Sequence, residues 1–349
     1  MYIRANTLDD LLFEVFTELI RSKIQIRTSR GITRELAGVL LELGSPRARL
    51  SRSEVKGKIF SGLGELFWYL SRSNSLHFIK YYLRRYEEDS EDGATIYGGY
   101  GTRLFDARGH NQIDNIINLL RQKPTSRRAV IQLFDASDIA KSRKEIPCTC
   151  TIQFLLRDNL LNMYTTMRSN DSYIGLPHDI FAFTMLQEIV AKTLDCGLGT
   201  YKHFVGSLHL YEPDLDSAQG YINEGLQPTT APMPAMPRGD PWKPIAGLLE
   251  IEKALREGHQ VNLAELHLKP YWADIARLLQ FFAASHGERK DAIEMKRIKA
   301  EMHSDVYQMY IDGRMQAGSA IASDQGDLGL DWPQNPVNPP RKRDRNARK

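Results

Sequence analysis

Two strand-forming runs meet at a short polar turn in TIQFLLRDNLLNMYTTM, residues 151–167, where Arg157-Asp158-Asn159 separates them. Asp and Asn accept the backbone conformations of tight turns, and the flanks are rich in Ile, Leu, Phe, Tyr and Thr, so the segment predicts a hairpin. AVIQLF at 129–134 reads as another strand, and Gly206–Tyr211 alternates strictly, with Leu208 and Leu210 on one face and Ser207, His209 and Tyr211 on the other. Residues 36–50 look extended and closed by a Gly-Ser-Pro turn. Helical apolar spacing marks 8–22, 53–70 and 180–194, the second apolar on most faces and the third beginning at a Pro177-His178-Asp179 corner. Strands interleaved with helices place the chain in the α/β (α+β) class.

The composition breaks at 226–244, LQPTTAPMPAMPRGDPWKP, which holds too many prolines for a helix or a central strand. Beyond it, 246–258 and 264–313 carry Leu, Ile, Phe and Met at three-four spacing. The division expected is therefore a main unit over 1–245, a helical extension over 246–320 and a disordered basic tail over 321–349. The chain has 349 residues, 42% hydrophobic and 26% charged, with a net charge of +3, too small by itself to imply a nucleic-acid or membrane partner. No apolar run reaches spanning length, and MYIRANTLDD is not a signal peptide. Three cysteines cannot all pair, which points to a reducing compartment and a cytoplasmic location.

Polar groups gather in a few short stretches. Cys148 and Cys150 flank Thr149 just before a strand; no second cysteine pair and no histidine at ligand spacing accompany them, so no metal site is expected. A buried cysteine is ordinarily inert, and a nucleophilic one needs a cation beside it, which Arg168 supplies if the two strands are neighbours. Arg127 and Arg128 open a strand and suit phosphate, or form a solvated pair. His209 and Tyr211 side by side can bind a hydroxyl. Asp179 is placed to cap a helix, and Glu65 sits in a mostly apolar helix where an acid is costly without a role or a partner.

Taken together these stretches resemble the thymidylate synthase family, which includes the deoxycytidylate hydroxymethylases. The resemblance covers residues 20–225 and rests on motifs in one order: Glu65-Leu66-Phe67-Trp68-Tyr69-Leu70, Ser126-Arg127-Arg128, Pro147-Cys148, Gln153-Phe154, Arg168-Ser169-x-Asp171, Gly175-Leu176-Pro177 and Gly206-x-x-His209-x-Tyr211. It implies a thymidylate synthase-like fold, a large mixed β-sheet packed by helices. It also implies that the Cys148 thiolate adds to C6 of a pyrimidine nucleotide, so that C5 attacks the one-carbon unit of 5,10-methylenetetrahydrofolate. Arg168 and Ser169 would hold the phosphate, and Arg127 and Arg128 would reach the neighbouring subunit's site in an obligate homodimer. Asp171 would bind the pterin, His209 and Tyr211 the sugar, and Glu65 would organise water and protons. Arg30 is the candidate N-terminal phosphate ligand.

Departures from the family pattern narrow the expectation. His178-Asp179 stands where thymidylate synthases have Phe-Asn, whose amide reads uracil. A protonated carboxyl donates to N3 of cytosine and accepts from its amino group, so Asp179 predicts a cytidylate, dCMP or CMP, and supplies an acid. Thr149 replaces a histidine, and Met167 a glutamine. The helical C-terminal region does not resemble the family's short closing tail, which leaves water freer to capture the methylene and gives a 5-hydroxymethyl product. The alternatives are methyl transfer to dUMP or dCMP with release of dihydrofolate, and a nucleotide- or RNA-binding protein on the same scaffold.

Overall fold

The computed structural model describes residues 1–28, 30–51, 53, 59–226, 232–286 and 290–320. The expected helical positions 54–58, the proline-rich positions 227–231 and the tail 321–349 lie outside the described residues. The strands are β1 (Tyr2–Ala5), β2 (Gln25–Thr28), β3 (Gly31–Leu43), β4 (Val130–Gln132), β5 (Thr149–Arg157), β6 (Leu160–Asp171) and β7 (Gly197–Tyr211). They form one seven-stranded sheet in the order β1-β3-β7-β6-β5-β4, with β2 also pairing with β3. Because β1–β3 and β6–β7 are parallel and the other pairs antiparallel, the sheet is mixed, as expected. Asp158 and Asn159 both take positive φ, 50° and 58°, in the turn joining β5 to β6, which is why those residue types stand there.

One face of the sheet is dry. Val39, Leu41, Ile152, Phe154, Leu161, Met163, Val205 and Leu208 are buried on it, covered mainly by helices α1 (Leu8–Arg21) and α7 (Gly175–Thr193). The opposite face stays open. Leu40, Phe204, Thr166, Thr151 and Gln132 form one cross-strand row, and Glu42, Lys202, Tyr164, Gln153 and Val130 the next.

Among the described residues, five helices fill the long connection between β3 and β4. They are α2 (Ile59–Leu70), α3 (Leu76–Tyr82), α4 (Tyr86–Asp89), α5 (Tyr100–Phe105) and α6 (Gln112–Gln122). Every residue of α2 except Ser61 is buried, as its all-round apolar sequence requires. After β7 come α8 (Leu215–Asn223), α9 (Trp242–Arg256), α10 (Pro270–Ser285), α11 (Ala292–Glu301) and α12 (Gln308–Ala320). Phe60 of α2 stacks on Phe281 of α10 at 5.6 Å between ring centroids, and Tyr82 stacks on Phe282 at 4.8 Å. The Tyr82 hydroxyl also donates to Glu252 of α9. In the proline-rich stretch Met233 and Met236 are buried, tied by Met233 N–H to Arg47 O and by Met236 N–H to a Glu188 carboxylate oxygen.

The sequence places the start of α7 too late. The helix begins at Gly175, not at Ile180, because Asp171 Oδ1 accepts from the amides of Tyr173 and Ile174 and so prepares its first turn. Pro177 falls in that first turn, where a missing N–H costs nothing.

Candidate active site

Strand direction brings the chemistry to one end of the sheet. The parallel strands β6 and β7 finish together, with Ser169 level with Ser207 and Asp171 level with His209. The antiparallel neighbours β5 and β3 begin at the same end, with Thr149 paired to Met167 and Thr33 to Tyr211. Cys148 precedes β5, and Arg30 precedes β3. Gly206 lets β7 approach β6 here, since a Cβ at that position would lie 2.8 Å from Arg168 O.

Arg168 clamps the loop that carries Cys148. Its Nε donates to Pro147 O at 2.9 Å and its Nη2 to Ile146 O at 2.9 Å, and Nη2 also lies 3.5 Å from Cys148 Sγ. The backbone N–H of Arg168 donates to Cys148 O. Burial pushes the Cys148 thiol up to about 11, with Arg168 opposing that rise. The resting residue is therefore a thiol beside the cation that favours its ionised form. Cys148, Cys150 and Cys196 are all free.

Asp179 does not cap α7. Ile174 is the N-cap residue, and Asp179 sits one turn inside the helix, buried, accepting from Asn170 Nδ2. Away from the helix end, desolvation prevails over the macrodipole. Burial first, and then the Glu65 carboxylate, raise the Asp179 carboxyl to about 8, against the opposing effects of Asn170 and Arg85. Near neutrality it holds its proton. Glu65, buried on α2, accepts from the hydroxyls of Tyr69 at 2.9 Å and Tyr86 at 2.6 Å through Oε1. The Tyr100 hydroxyl meets the Thr149 N–H and hydroxyl, and feels both Asp179 and Cys148. Charge interactions thus couple Tyr100 to both Cys148 and Asp179, and Asp179 to Glu65, in one polar cluster.

The remaining expected residues divide into two groups. Ser169 Oγ lies 3.5 Å from His209 Nδ1, and the His209 ring meets Tyr211 edge-on at 5.1 Å. Arg30 pairs with Asp89, and its charge reaches Cys148 and Tyr211. Asp171 spends Oδ1 on α7, leaving Oδ2 without a partner among the described residues. Arg127 and Arg128, by contrast, are not brought to Cys148 within one chain. They precede β4, whose Val130 pairs with Gln153, and Gln153 Nε2 donates to Arg127 O. They are exposed and engage no acid among the described residues.

Several members of the cluster carry no flag in the sequence reading: Asn170, Tyr86, Tyr100 and Glu145. Asn170 is the unassigned position of Arg168-Ser169-x-Asp171, and its burial breaks the in-out alternation of β6 after Met167. Glu145 receives the Gly98 N–H, and its carboxyl is raised by burial and by Asp89.

The family model described as Thymidylate synthase matches residues 53–240. A curated protein of Delftia phage PhiW-14, named deoxyuridylate hydroxymethyltransferase, is 30% identical over 191 residues, covering 51% of this chain and 53% of its own. A protein of the same name from Pseudomonas phage M6 is 29% identical over 174 residues, covering 49% of this chain and 50% of its own. The chain spans about half the length of the curated relatives it matches.

Proposed function

The chain belongs to the thymidylate synthase family, and from that premise we propose that it is a folate-dependent C5 hydroxymethylase of a cytidylate, dCMP or CMP. The observation that carries the cytidylate reading is Asp179, a buried carboxyl raised to about 8 beside the nucleophile's cluster. Held neutral, it donates to N3 of cytosine and accepts from the 4-amino group, whereas uracil presents a donor at N3.

In this reading Cys148 bonds to C6 as a thiolate favoured by Arg168, while Asp179 supplies a proton at N3 and relieves the charge that addition creates. Ser169, with Arg30 and the Nη1 edge of Arg168, which has no partner among the described residues, receives the phosphate, and His209 and Tyr211 receive the sugar. Methylenetetrahydrofolate supplies the one-carbon unit at the oxidation level of formaldehyde, and Asp171 would hold its pterin. Glu65, fixed by two tyrosine hydroxyls, orders water at the base. The open sheet face, with Phe204 and Val130 exposed, is the surface on which a second copy packs. That packing would let Arg127 and Arg128 of one copy reach the other's phosphate site. Among the described residues no helix is long and apolar enough to cross a membrane, and the reading places the enzyme in the cytoplasm, with 1–245 as its catalytic unit.

A second reading, hydroxymethylation of deoxyuridylate, draws support from the names of the two phage relatives. One experiment separates them. The protein is mixed with methylenetetrahydrofolate and, separately, dCMP, CMP and dUMP; products are weighed by mass spectrometry and dihydrofolate is followed by absorbance. A hydroxymethyl gain on dCMP or CMP without dihydrofolate is expected. A gain on dUMP alone overturns the cytidylate reading, and a methyl gain with dihydrofolate overturns hydroxymethylation.

A further inference from the structure

Glu145, three residues before Cys148, is a half-buried acid to which the chemistry above gives no task. Its loop is pinned on both sides. Glu91 accepts from the Arg143 guanidinium at 3.1 Å and from the Lys144 N–H at 3.0 Å, and Lys144 Nζ donates to Ser90 O. On the other side Arg168 holds the carbonyls of Ile146 and Pro147. The carboxyl nests on Gly98: Oε2 accepts that residue's N–H at 3.1 Å, and a Cβ there would collide with the same oxygen. Oε1 engages no partner among the described residues.

The charged groups facing Glu145 come from three elements. Arg168 on β6 and Arg103 on α5 favour its ionised form, whereas burial first and then Asp89 on α4 raise its carboxyl above the ordinary range. Asp89 is itself paired with Arg30, and Arg103 with Asp138. A carboxylate so raised is a stronger base than one at the surface. Glu145 also acts on Cys148, opposing its ionisation more than Asp179 does. Asp179 holds its proton near neutrality, and Glu65 takes two tyrosine hydroxyls. The carboxyl that bears most on the sulfur and has an oxygen to spare is therefore Glu145.

We infer that Glu145 is the base that takes the proton from the water captured at C5, and so directs the reaction to a hydroxymethyl product. The inference rests on the hydroxymethylase reading above, and not on which pyrimidine the nucleotide carries. With Cys148 bonded to C6, C5 is one bond away and bears the exocyclic methylene left by one-carbon transfer. The water oxygen bonds to the methylene carbon as one of its protons passes to Glu145 Oε1. The methylene π pair moves into the ring, then re-forms C5=C6 while the sulfur–C6 bond breaks and Cys148 leaves as thiolate. The proton on Glu145 returns to solvent.

The test compares the full chain with Glu145→Gln, using a nucleotide tritiated at C5, methylenetetrahydrofolate and added 2-mercaptoethanol. Tritium release reports formation of the methylene, and the thiol captures it without help from a protein base, giving a thioether in place of the alcohol. In Glu145→Gln the hydroxymethyl product should fall about a hundredfold, tritium release should fall far less, and the thioether should become the main product. Hydroxymethyl formation by the unaltered chain should rise with pH as Glu145 ionises, and the variant should lack that rise. Without folate, alkylation of Cys148 by iodoacetamide should have its midpoint below about 11 in the variant, because a charge opposing the thiolate is gone. Hydroxymethyl product within about twofold of the unaltered chain overturns the inference, as does an unmoved alkylation midpoint. Equal loss of tritium release and product also overturns it, since that marks a structural role. A methyl product, or none, from the unaltered chain overturns the hydroxymethylase reading and this inference with it.

Discussion

The Arg168 guanidinium binds the carbonyls of Ile146 and Pro147 and stands 3.5 Å from the Cys148 sulfur, so one side chain both shapes the loop that carries Cys148 and sets the thiol's charge environment. Replacing it separates the two effects. Arg168→Ala removes the cation that opposes the burial-driven rise of the Cys148 thiol. Alkylation of Cys148 by iodoacetamide at pH 8 should slow by about tenfold, and its pH midpoint should move up from about 11. An unchanged midpoint would show that the guanidinium acts on the loop alone.

Asp179 gives a pH signature. Its carboxyl is raised to about 8, so turnover of dCMP should fall as pH climbs through that value and the N3 donor is lost. Stability follows the same group. Between its usual carboxylate range and about 8 the native state keeps a proton that the unfolded chain has released, so stability falls as pH rises through that window. Asp179→Asn lacks this dependence. Thermal melts should show the Asn variant gaining on the unaltered protein from pH 5 to pH 9, and its nucleotide preference should move toward dUMP.

Glu65 depends on two tyrosine hydroxyls. Tyr86→Phe removes the shorter of the two bonds and should cost about 1–3 kcal/mol of stability, because a buried carboxylate loses a donor. Denaturant unfolding measures the loss. Turnover should fall more than nucleotide affinity does, since Glu65 is assigned to water and protons.

The buried Arg49–Glu188 pair is fully enclosed. Glu188→Gln leaves the guanidinium without its counter-charge and should destabilise the protein by about 3–5 kcal/mol. A change below about 1 kcal/mol would mean that water or a ligand already neutralises Arg49 in solution.

Exposed Arg127 and Arg128 make subunit complementation the test of a shared site. Cys148→Ala and the double change Arg127→Ala with Arg128→Ala should each be nearly inactive. Mixed as dimers, they should recover about a quarter of the activity, because half the dimers are hybrids with one intact site of two. No recovery, with exchange of subunits confirmed by native mass spectrometry, would confine the site to one chain.

The hairpin at 157–159 and the amphipathic α1 were legible because period and turn chemistry are local properties. So was the helical character within 246–258 and 264–313, whose apolar spacing does not depend on what it packs against. The start of α7 was not: Gly175-Leu176-Pro177 reads as a corner, and only Asp171, reaching forward to two amides, makes it a first turn. The short strands β1 and β2 were invisible, because four residues carry too little pattern to register. In the site, Cys148, Arg168, Asp171 and Asp179 were named from motifs, and the sheet's strand directions bring them to one end. Tyr86 and Tyr100 escaped notice because their roles come from tertiary approach to Glu65 and Thr149, which spacing along the chain does not encode.

Helix α2 has no wet side: α7, α3, α5, α9 and α10 surround it. A version trimmed at residue 240, where the family match ends, would bare Phe60 and its neighbours along the helix that carries Glu65. A minimal form of this protein therefore cannot be reached by deletion. It would require rewriting the outward half of α2 in polar residues, and each change there would lie within a turn or two of the carboxylate on the helix's other side.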